Sequence, residues 1–509
     1  MIGYYTADQI RAAEESTGEL LTGGVLMARA ANGVARVAAA ELVARCDGVY
    51  GRRVGMVVGA GNNGGDALYA GALLRRRGVA VDAVLLAPDA AHPGGLAAFR
   101  RAGGRVTERL APDTDLVIDA VVGLGGRGPL RPNAAEVFAG VFAPVLAVDL
   151  PSGVDPDTGV VHEPSVRADV CVTFGERRLA HLLAAPSCGR IEVIDIGLDL
   201  STRLVHRWGR QRKSIETGNR EPGVACLTDR DVALLWPRPG PQDDKYSQGV
   251  VGIVAGSDRY PGAAVLSTAG SVAATSGMTR FVGSAAPQVV AHRPEVVAVT
   301  DFDDAGRVQA WVVGPGLGTD GPAEELVERV LATELPVLVD ANALTVVARR
   351  PELLERDAPT LLTPHAGEFE RLAGAPVGAD RLTAVRELAA RLNSTVLLKG
   401  RITLIAEPGG GVLGNDAGGS AAATAGAGDV LAGIAGALLA VDRPSSLFWG
   451  AERPPMLDAA AAARVHAVAA LLASGGGTIP IGASDLVAAV PEALRRVLDP
   501  SSDRSGEED

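Results

Sequence analysis

Two glycine-rich turns in this 509-residue chain carry side chains that could do chemistry. The first, VVGAGNNGGD, brings Asn62, Asn63 and Asp66 to the start of a predicted helix, where backbone N–H groups suit a phosphate and side-chain oxygens can hold a cation or a ribose. The second, TAGAGD, places Asp429 in the first turn of another predicted helix, where its carboxylate can take a proton from a hydroxyl beside N–H groups that hold a transferring phosphoryl group. Both keep a structural alternative: an Asx turn with a helix cap for the first, and a carboxylate that merely favours the helix dipole for the second.

Further polar residues of the first half follow apolar runs that read as strands. Asp119 ends DLVI, a glycine-rich loop over residues 123–129 comes next, and Asp149 and Ser152 end PVLAVDLPSG. Ligands bind at the carboxyl ends of strands in an open parallel sheet, so these turns are expected to converge on one pocket. A carboxylate there, Asp149, can serve as a general acid or base.

Alternating strands and helices must position these turns. Short Val, Ile and Leu runs ending in Gly or Asp turns are followed by Ala-rich helical stretches in both halves, a pattern typical of α/β folds with buried parallel strands. Residues 24–46 are predicted to be a helix. The halves share no motif, so we predict two different α/β domains, residues 1–215 and 224–495.

Three segments are predicted to lie outside regular structure. Residues 201–223 are polar and rich in Arg, and favour a linker or surface connection. Residues 441–457 carry three prolines and favour a loop or insertion. The terminal PSSDRSGEED favours a disordered acidic tail.

Charge and composition narrow the classes of function. The chain has 48 basic against 60 acidic residues and a net charge of −12, which argues against nucleic acid as a partner. Its four cysteines form no CxxC pair and are expected to be reduced thiols. The N-terminus lacks a signal-peptide pattern and no run reaches about 18 apolar residues, so we expect no membrane contact and a cytoplasmic location.

The first half resembles a known family. Its motifs GNNGGD, VIDAVVGLG and VDLPSGVD, in this order, are similar to those of the NAD(P)HX epimerase domain, which acts on hydrated NADH or NADPH. The resemblance covers about residues 1–215 and implies a Rossmann-like three-layer sandwich. It implies a potassium ion near Asn63, Asp119 and Ser152, and catalysis by Asp149. The implied substrate contacts are Asn62, Asn63, Gly64, Gly65, Asp66, Gly123, Leu124, Gly125, Gly126, Arg127, Gly128, Pro129 and Asp149.

This half departs from the epimerase pattern at a few positions. Ala28 stands where the family helix LMExAG has Glu, Ala67 replaces a glycine after the first motif, and the Lys usual after TFG appears as Arg177 or Arg178. Roles carried by the usual groups are therefore open, and one interpretation makes the first domain a non-catalytic binding module. In that case the protein would not speed epimerisation above the spontaneous rate, and Asp149→Asn would leave the rate unchanged.

The second half resembles the ADP- or ATP-dependent NAD(P)HX dehydratases of the ribokinase-like superfamily. Six ordered strings carry the resemblance over about residues 224–495: DDKYSQGVVGIVAGSDRYPGAA, VVGPGLG, VLVDANAL, LLTPHAGEFERL, LLKGRITLI and AGAGDVLAG. It implies a ribokinase-like three-layer sandwich that uses Mg²⁺ with ADP or ATP, with Asp429 as the base. The implied nucleotide contacts are Lys399, Gly400, Arg401, Ile402, Thr403 and Gly428, and the implied substrate contacts are Ala264, Gly316, His365 and Asp429.

Several residues of the second half keep two interpretations. His365 is either a loop histidine or a substrate contact, and Lys399 is either a point charge for phosphate or a residue that closes a strand with its stem buried. Lys245 is either solvated or part of the first dehydratase string. The string GNDAGG departs from the usual GNPG, which leaves contacts at Asp416 and Ala417 open. Lys213 has no assigned role.

The combined resemblance predicts a bifunctional nicotinamide-nucleotide repair enzyme, an isomerase and a lyase on one chain. The first domain would interconvert the R and S forms of NADHX or NADPHX, and the second would dehydrate the S form at the expense of ADP or ATP. The alternative is a ribokinase-like small-molecule kinase with an N-terminal nucleotide-binding domain that is not catalytic. The resemblance also implies a homo-oligomer, with a tetramer as the candidate state.

Overall fold

The computed structural model describes residues 1–200, 221–441 and 453–499, which form two compact units. The first unit contains described residues 3–200 and 221–223, and the second contains residues 1–2, 224–441 and 453–499. Lys213, most of the predicted linker and the predicted acidic tail lie outside the described residues. The predicted domain boundaries stay predictions.

A parallel sheet forms the centre of the first unit. Its seven strands are β2 (Arg53–Val58), β3 (Ala80–Leu85), β4 (Arg105–Val106), β5 (Leu116–Ala120), β6 (Val145–Val148), β7 (Val170–Phe174) and β9 (Arg190–Ile194). They lie in the order β4-β3-β2-β5-β6-β7-β9, and each pair is parallel. Two short strands, β1 (Ile2–Tyr5) and β8 (Arg177–Arg178), pair with each other in parallel.

Helices cover both faces of this sheet. They are α1 (Ala7–Ser16), α2 (Glu19–Thr22), α3 (Val25–Cys46), α4 (Asn62–Arg76), α5 (Pro93–Arg101), α6 (Pro132–Ala139), α7 (Leu179–Leu183) and α8 (Ala185–Cys188). Because strand side chains alternate between faces, Val54 and Met56 of β2 pack in one core with α3 and α4, whereas Val57 packs in another core with Ala134 of α6. The unit is therefore a three-layer sandwich.

The second unit contains a longer, mostly parallel sheet. Its strands are β10 (Val224–Cys226), β11 (Val250–Val254), β12 (Met278–Val282), β13 (Val297–Val299), β14 (Ala310–Val313), β15 (Val337–Val339), β16 (Thr360–Leu362), β17 (Thr395–Leu398), β18 (Ile402–Ala406) and β19 (Val412–Asp416). They follow the order β13-β12-β11-β14-β15-β16-β17-β18-β19-β10. Only β18 runs antiparallel, to both of its neighbours.

Helices also flank both faces of the second sheet. They are α9 (Asp229–Leu235), α10 (Pro261–Ala274), α11 (Ala286–His292), α12 (Gly321–Leu331), α13 (Asn342–Arg349), α14 (Ala366–Ala373), α15 (Arg381–Arg391), α16 (Ala427–Leu439), α17 (Pro455–Ala473) and α18 (Ala483–Leu498). Val251 and Ile253 pack in one core with residues of α10, α16, α17 and α18, while α12 and α15 contact the sheet outside that core.

Glycines let α10 and α16 pack closely in the second unit. A Cβ atom on Gly433 would lie 2.0 Å from the carbonyl oxygen of Ser267, and one on Gly270 would lie 2.4 Å from that of Val430. Real Cβ atoms do not approach oxygen so closely, so neither glycine can be replaced without moving a helix. This contact fixes the position of the first turn of α16, which carries Asp429.

The predicted fold class, two α/β three-layer sandwiches, is confirmed, and α3 confirms the helix predicted over residues 24–46. The loop predicted over residues 441–457 is wrong at its end, because α17 begins at Pro455. Proline is well suited to the first position of a helix, where no N–H bond is lost. Of the described helices, only α17 is long and apolar enough to cross a membrane, and its side chains instead form part of the core of the second unit.

Candidate active sites

A cavity of about 1170 Å³ lies in the first unit. Its wall includes Asn62, Asn63 and Asp66 from α4, Asp149 from the end of β6, and Arg178 from β8. Its volume is above the usual range for small-molecule sites, roughly 300–1,000 Å³, so it could admit a ligand as large as a dinucleotide. The turns predicted to converge therefore do so at the carboxyl ends of β2 and β6.

The N-terminus of α4 forms one wall of the cavity. Gly61, the residue before the helix, has φ +85°, a left-handed conformation that glycine adopts without strain. A Cβ on Gly59 would lie 2.0 Å from the carbonyl oxygen of Val121, and one on Gly64 would lie 2.4 Å from that of Gly59. The glycines thus allow the turn to approach the loop after β5, with free N–H groups at the helix start.

Asp149 is held in a strained and specific geometry. Its φ is +69°, which is uncommon for a residue with a side chain and recurs at functional sites. The carboxylate lies 3.0 Å from the Arg178 guanidinium and accepts a hydrogen bond of 3.0 Å from the Thr173 hydroxyl. Both Asp149 and Arg178 are buried. The Arg178 guanidinium also donates to the carbonyls of Phe174 and Glu176, so it is fixed in place.

His181 connects the backbones of Asp149 and Arg178. Its Nδ1 accepts from the backbone N–H of Arg178, and its Nε2 lies 2.8 Å from the carbonyl oxygen of Asp149. Burial lowers the pKa of His181 to about 4, although the charge of Asp149 opposes the shift. The ring is therefore neutral, with Nε2 donating, and it ties together the backbones that carry the two charged side chains.

Asp66 lines the cavity without a protein partner for one oxygen. The residue is buried, and its Oδ1 atom has no hydrogen-bond partner among the described residues. Burial raises the pKa of Asp66 well above its ordinary value, and the negative charges of Asp149 and Glu14 raise it further. A buried carboxyl group in such surroundings keeps its proton to higher pH than an exposed one does.

Asp119 and Ser152 are bonded to each other beside this cavity. The Ser152 hydroxyl donates to Asp119 over 2.7 Å and its backbone N–H donates over 2.8 Å. Burial raises the pKa of Asp119 to about 6, because the Ser152 hydrogen bonds offset only part of the desolvation. Asn63 lies against the following loop, since a Cβ on Gly123 would be 3.1 Å from its Oδ1 atom. The oxygens here belong to a carboxylate, a hydroxyl and an amide, which are suitable ligands for a cation. No basic side chain of the described residues forms an ion pair with Asp119, so its charge is available to such a cation.

Only some residues of the glycine-rich loop after β5 line the cavity. Gly123, Leu124 and Gly125 line the cavity. Gly126, Gly128 and Pro129 are absent from its wall, as is Arg127, whose guanidinium pairs with Asp155 and Asp157. Gly64 and Gly65 lie in α4 behind the wall. Substrate contacts at these positions stay predictions.

Glu14, which the sequence did not single out, also lines the cavity. It belongs to α1, and burial raises its pKa despite the opposing charge of Arg178. Thr173 and His181 were likewise not singled out. Thr173 could have been found from the sequence, because the TFG string places it at the end of a strand. Glu14 could not, because it reaches the cavity only through tertiary packing.

Asp429 lies in the first turn of α16, as predicted. The preceding Gly426 has φ +85°, and the free N–H groups of the helix start lie beside the carboxyl group. The pKa of Asp429 is raised to about 7, mainly by burial; the charges of Asp340 and Glu368 contribute to the increase, and that of Lys399 opposes it. A carboxyl group with this pKa is matched to accept a proton near neutral pH.

Lys399 is partly buried and paired rather than free. Its Nζ atom lies 2.7 Å from Asp340 and 3.8 Å from Glu368, and a Cβ on Gly428 would be 3.4 Å from it. Burial favours the neutral amine, but the charges of Asp340 and Glu368 outweigh it and raise the pKa of Lys399. The ammonium therefore lies beside the first turn of α16, where it faces both the carboxylates and the helix start. Asp340 and Glu368 were not predicted as site residues, although Asp340 follows a strand in the same way as Asp119 does.

His365 caps α14. Its Nδ1 atom accepts from the N–H groups of Gly367 and Glu368, and its side chain is 56% exposed. The Nε2 atom lies 3.4 Å from Glu368. The exposed ring edge leaves a substrate contact open, while the cap gives this histidine a structural role as well.

The remaining predicted residues of the second unit surround the same strand ends. Gly400 and Arg401 follow β17, and Arg401 pairs with Asp416 of β19 at 3.3 Å. Ile402 and Thr403 are buried in β18. Gly316 has φ +64° and its carbonyl accepts from Ser257 over 2.8 Å, while Ala264 has no exposed surface. Among the described residues, no three His, Cys, Asp or Glu side chains are grouped to hold a metal ion.

Two family models match the chain. The model described as "YjeF-related protein N-terminus" matches residues 23–179, and the model described as "NAD(P)H-hydrate dehydratase" matches residues 251–491. The chain is 53% identical over 499 residues to the bifunctional NAD(P)H-hydrate repair enzyme of Mycobacterium leprae, covering 96% of this chain and 99% of that protein. It is 38% identical to the counterpart from Corynebacterium glutamicum, covering 97% of this chain and 98% of that protein.

One similar solved structure is the ADP/ATP-dependent NAD(P)H-hydrate dehydratase of Bacillus subtilis, co-crystallised with ATP and Mg²⁺. It is 30% identical, covers 54% of this chain and 99% of its own, and superimposes with a TM-score of 0.47.

Proposed function

The chain belongs to the family of bifunctional NAD(P)H-hydrate repair enzymes, and from this premise we propose that each unit carries one of the two reactions. The first interconverts the R and S forms of hydrated NADH or NADPH, and the second dehydrates the S form with ADP or ATP. One observation carries this division: each unit has its own buried carboxyl site at strand ends, around Asp149 in the first and around Asp429 in the second. The small-molecule kinase alternative is not favoured, since relatives of nearly the full length are repair enzymes.

In the first unit, we assign the cavity to the hydrated nicotinamide nucleotide. The N–H groups at the start of α4 face a phosphate, and Asp149 acts at the hydrated carbon. Of Arg177 and Arg178, we take Arg178 as the counterpart of the family's usual lysine, because its 3.0 Å ion pair with Asp149 supports a working site rather than a bare binding module. Asn63, Asp119 and Ser152 would hold K⁺, which would neutralise the buried Asp119 charge when bound.

In the second unit, Asp429 takes the proton of the substrate hydroxyl. The hydroxyl oxygen then forms a bond to the terminal phosphorus of the nucleotide, and the bond to the leaving phosphate oxygen breaks. Loss of the new phosphate ester, with a proton from the ring, regenerates the reduced nicotinamide. The N–H groups at the start of α16 and the Lys399 ammonium face the negative charge that develops on the transferring group.

A magnesium ion fits this second site as a companion of the nucleotide. Mg²⁺ is usually held by substrate phosphates with only one or two carboxylates, so a complete protein cage is not needed. Asp340 and Glu368, whose charges act on Asp429, are the carboxylates available to it. When bound, the ion would supply charge neutralisation at the phosphates.

Hydrated NADH containing both forms tests the assignment. Incubation with the protein, Mg²⁺ and either ADP or ATP should restore the absorbance of the dihydronicotinamide completely. If neither nucleotide restores it, the dehydratase assignment is wrong, and if only the S form disappears, the epimerase assignment is wrong. Asp429→Asn should abolish restoration while nucleotide binding, measured by calorimetry, persists. Glu324→Gln, at a half-buried acidic residue in the first turn of α12 that pairs with Arg349, is the matched control for a simple helix-dipole effect.

The assembly and location of the protein stay proposals. We propose a homo-oligomer, with the tetramer as the candidate, on the strength of the family resemblance. Light scattering coupled to size-exclusion chromatography measures its mass directly, and a monomeric mass would contradict the proposal. A cytoplasmic location is proposed on the same resemblance and is tested by cell fractionation.

A further inference from the structure

Two buried polar atoms at the start of α4 have no partner among the described residues. They are Oδ1 of Asp66 and Nδ2 of Asn63, and both side chains line the cavity. Leaving such atoms unpaired costs about 1–3 kcal/mol each, so they are normally satisfied by a ligand or by water. An acceptor and a donor one helical turn apart therefore mark this part of the wall as a contact for the substrate.

The two aspartates of the cavity are in opposite electrostatic situations. Asp149 is paired with the Arg178 guanidinium at 3.0 Å and accepts a hydrogen bond from the Thr173 hydroxyl, so a cation and a donor hold its carboxyl group in place. No ion pair to Asp66 is formed by the described residues, and burial together with the charges of Asp149 and Glu14 raises its pKa well above the ordinary value. The other ionisable groups on the cavity wall are Arg11, Tyr69, Arg76 and His92. One carboxyl group paired with a cation and one buried with an unpartnered oxygen are surroundings that suit different acid and base roles.

We propose that Asp66 is the general acid of the epimerase and that Asp149, fixed by Arg178, is the base that acts on the opposite face of the ring. This inference rests on the epimerase function proposed above. It extends the role of Asp66 from substrate contact to proton transfer, and it makes Arg178 a positioning residue for Asp149.

The hydrated carbon carries a hydroxyl group and is bonded to the ring nitrogen, which determines the steps. Asp66 gives its proton to the hydroxyl, the carbon–oxygen bond breaks, and water leaves with the electron pair of that bond. The nitrogen lone pair forms a carbon–nitrogen double bond, and the Asp149 carboxylate stabilises the resulting cation. A water molecule then adds to the other face, the double-bond pair returns to nitrogen, and Asp149 takes the proton of the added water. Transfer of that proton back to Asp66 through cavity water restores the enzyme, with no net change in protons.

The test uses the pure R form in ¹⁸O-labelled water with the full-length protein. The wild type should introduce one labelled oxygen at each inversion. Asp66→Asn should lower kcat for inversion by about 100-fold or more, the usual contribution of a general acid. Its KM should stay within a few-fold, because the amide keeps the shape and hydrogen-bonding capacity of a neutral carboxyl group. Asp66→Glu should retain part of the rate.

Matched measurements separate catalysis from folding. Asp82→Asn removes a buried carboxylate of the same unit that pairs with Arg53 and Arg105 outside the cavity, and it should leave inversion unchanged. Thermal unfolding of each variant reports whether the first unit is intact. The proposal is overturned if Asp66→Asn inverts the carbon at a rate near that of the wild type, or if the wild type inverts it without taking up label. If the wild type itself does not exceed the spontaneous rate, the epimerase assignment fails instead.

Discussion

Carboxyl groups dominate both sites, and their neighbours decide what each one does. The Asp149 carboxylate lies 3.0 Å from a guanidinium, and that of Asp119 accepts hydrogen bonds from the hydroxyl and N–H of Ser152. The Asp429 carboxyl group is largely removed from water and lies near an ammonium group. The same residue type is thus found in three different surroundings, and our proposal gives each one a different role. This spread follows from desolvation, opposite charge and hydrogen bonding acting in different proportions.

The electrostatic cluster of the second site predicts opposite effects of two substitutions. With Asp429 as the proposed base, kcat/KM of the dehydratase should fall as the pH drops below about 7, where the group gains its proton. Lys399→Met removes the charge that lowers the pKa of Asp429, so this acid limb should move to higher pH. Asp340→Asn removes a charge that raises it, so the limb should move to lower pH. The pH dependence of kcat/KM for the S form measures both shifts.

A purely structural role for the Lys399–Asp340 pair would give a different result. Both substitutions break the same ion pair, so loss of stability alone would affect the two variants in the same direction at every pH. Breaking a buried pair costs about 3–5 kcal/mol, and thermal unfolding should show a loss of that order for each. Shifts of the same sign in the two pH profiles would contradict the assignment of Asp429.

At the level of elements, the contact between α10 and α16 positions the catalytic turn. Gly433→Ala would place a Cβ atom 2.0 Å from the Ser267 carbonyl oxygen, so one helix must move. We expect a loss of about 1–3 kcal/mol in the stability of the second unit and a large loss of dehydratase turnover. Differential scanning calorimetry and the absorbance assay measure the two effects.

Gly321→Ala is the control for this substitution. Gly321 is the first residue of α12, and a Cβ there meets no atom within 4 Å. The alanine should be neutral or stabilise the unit by about 0.4–1 kcal/mol through the unfolded state. Equal behaviour of the two variants would mean that the helix contact does not position Asp429.

The sequence predicted elements better than it predicted pairings. Apolar runs ending in Gly or Asp identified the strand ends at Asp119 and Asp149, and the same rule applied to VLVDANAL would have identified Asp340. The 3.0 Å pairing of Asp149 with Arg178 was not predictable, because it depends on a positive φ at Asp149 and on the placement of β8. Glu14 reaches the cavity from α1 by packing alone, which no local pattern records.

For the whole molecule, the separate sites predict separable activities. With Asp149→Asn, a mixture of both forms should be consumed in two phases: the S form at the wild-type rate, then the R form at the spontaneous rate of inversion. With Asp429→Asn, no dihydronicotinamide should appear, yet a pure R sample should still reach an equilibrium mixture. Absorbance and chiral chromatography follow the two processes, and a single fast phase with Asp149→Asn would contradict the assignment.

The cavity of the first unit also limits what that unit can do in metabolism. An epimerase is subject to the Haldane relationship: the ratio of kcat/KM for its two substrates must equal the equilibrium constant between them. No substitution in the wall of that 1170 Å³ cavity can therefore bias the flux toward one form. Directionality has to come from the irreversible, nucleotide-consuming step, which we assign to the second unit, and this step draws both diastereomers to the same product.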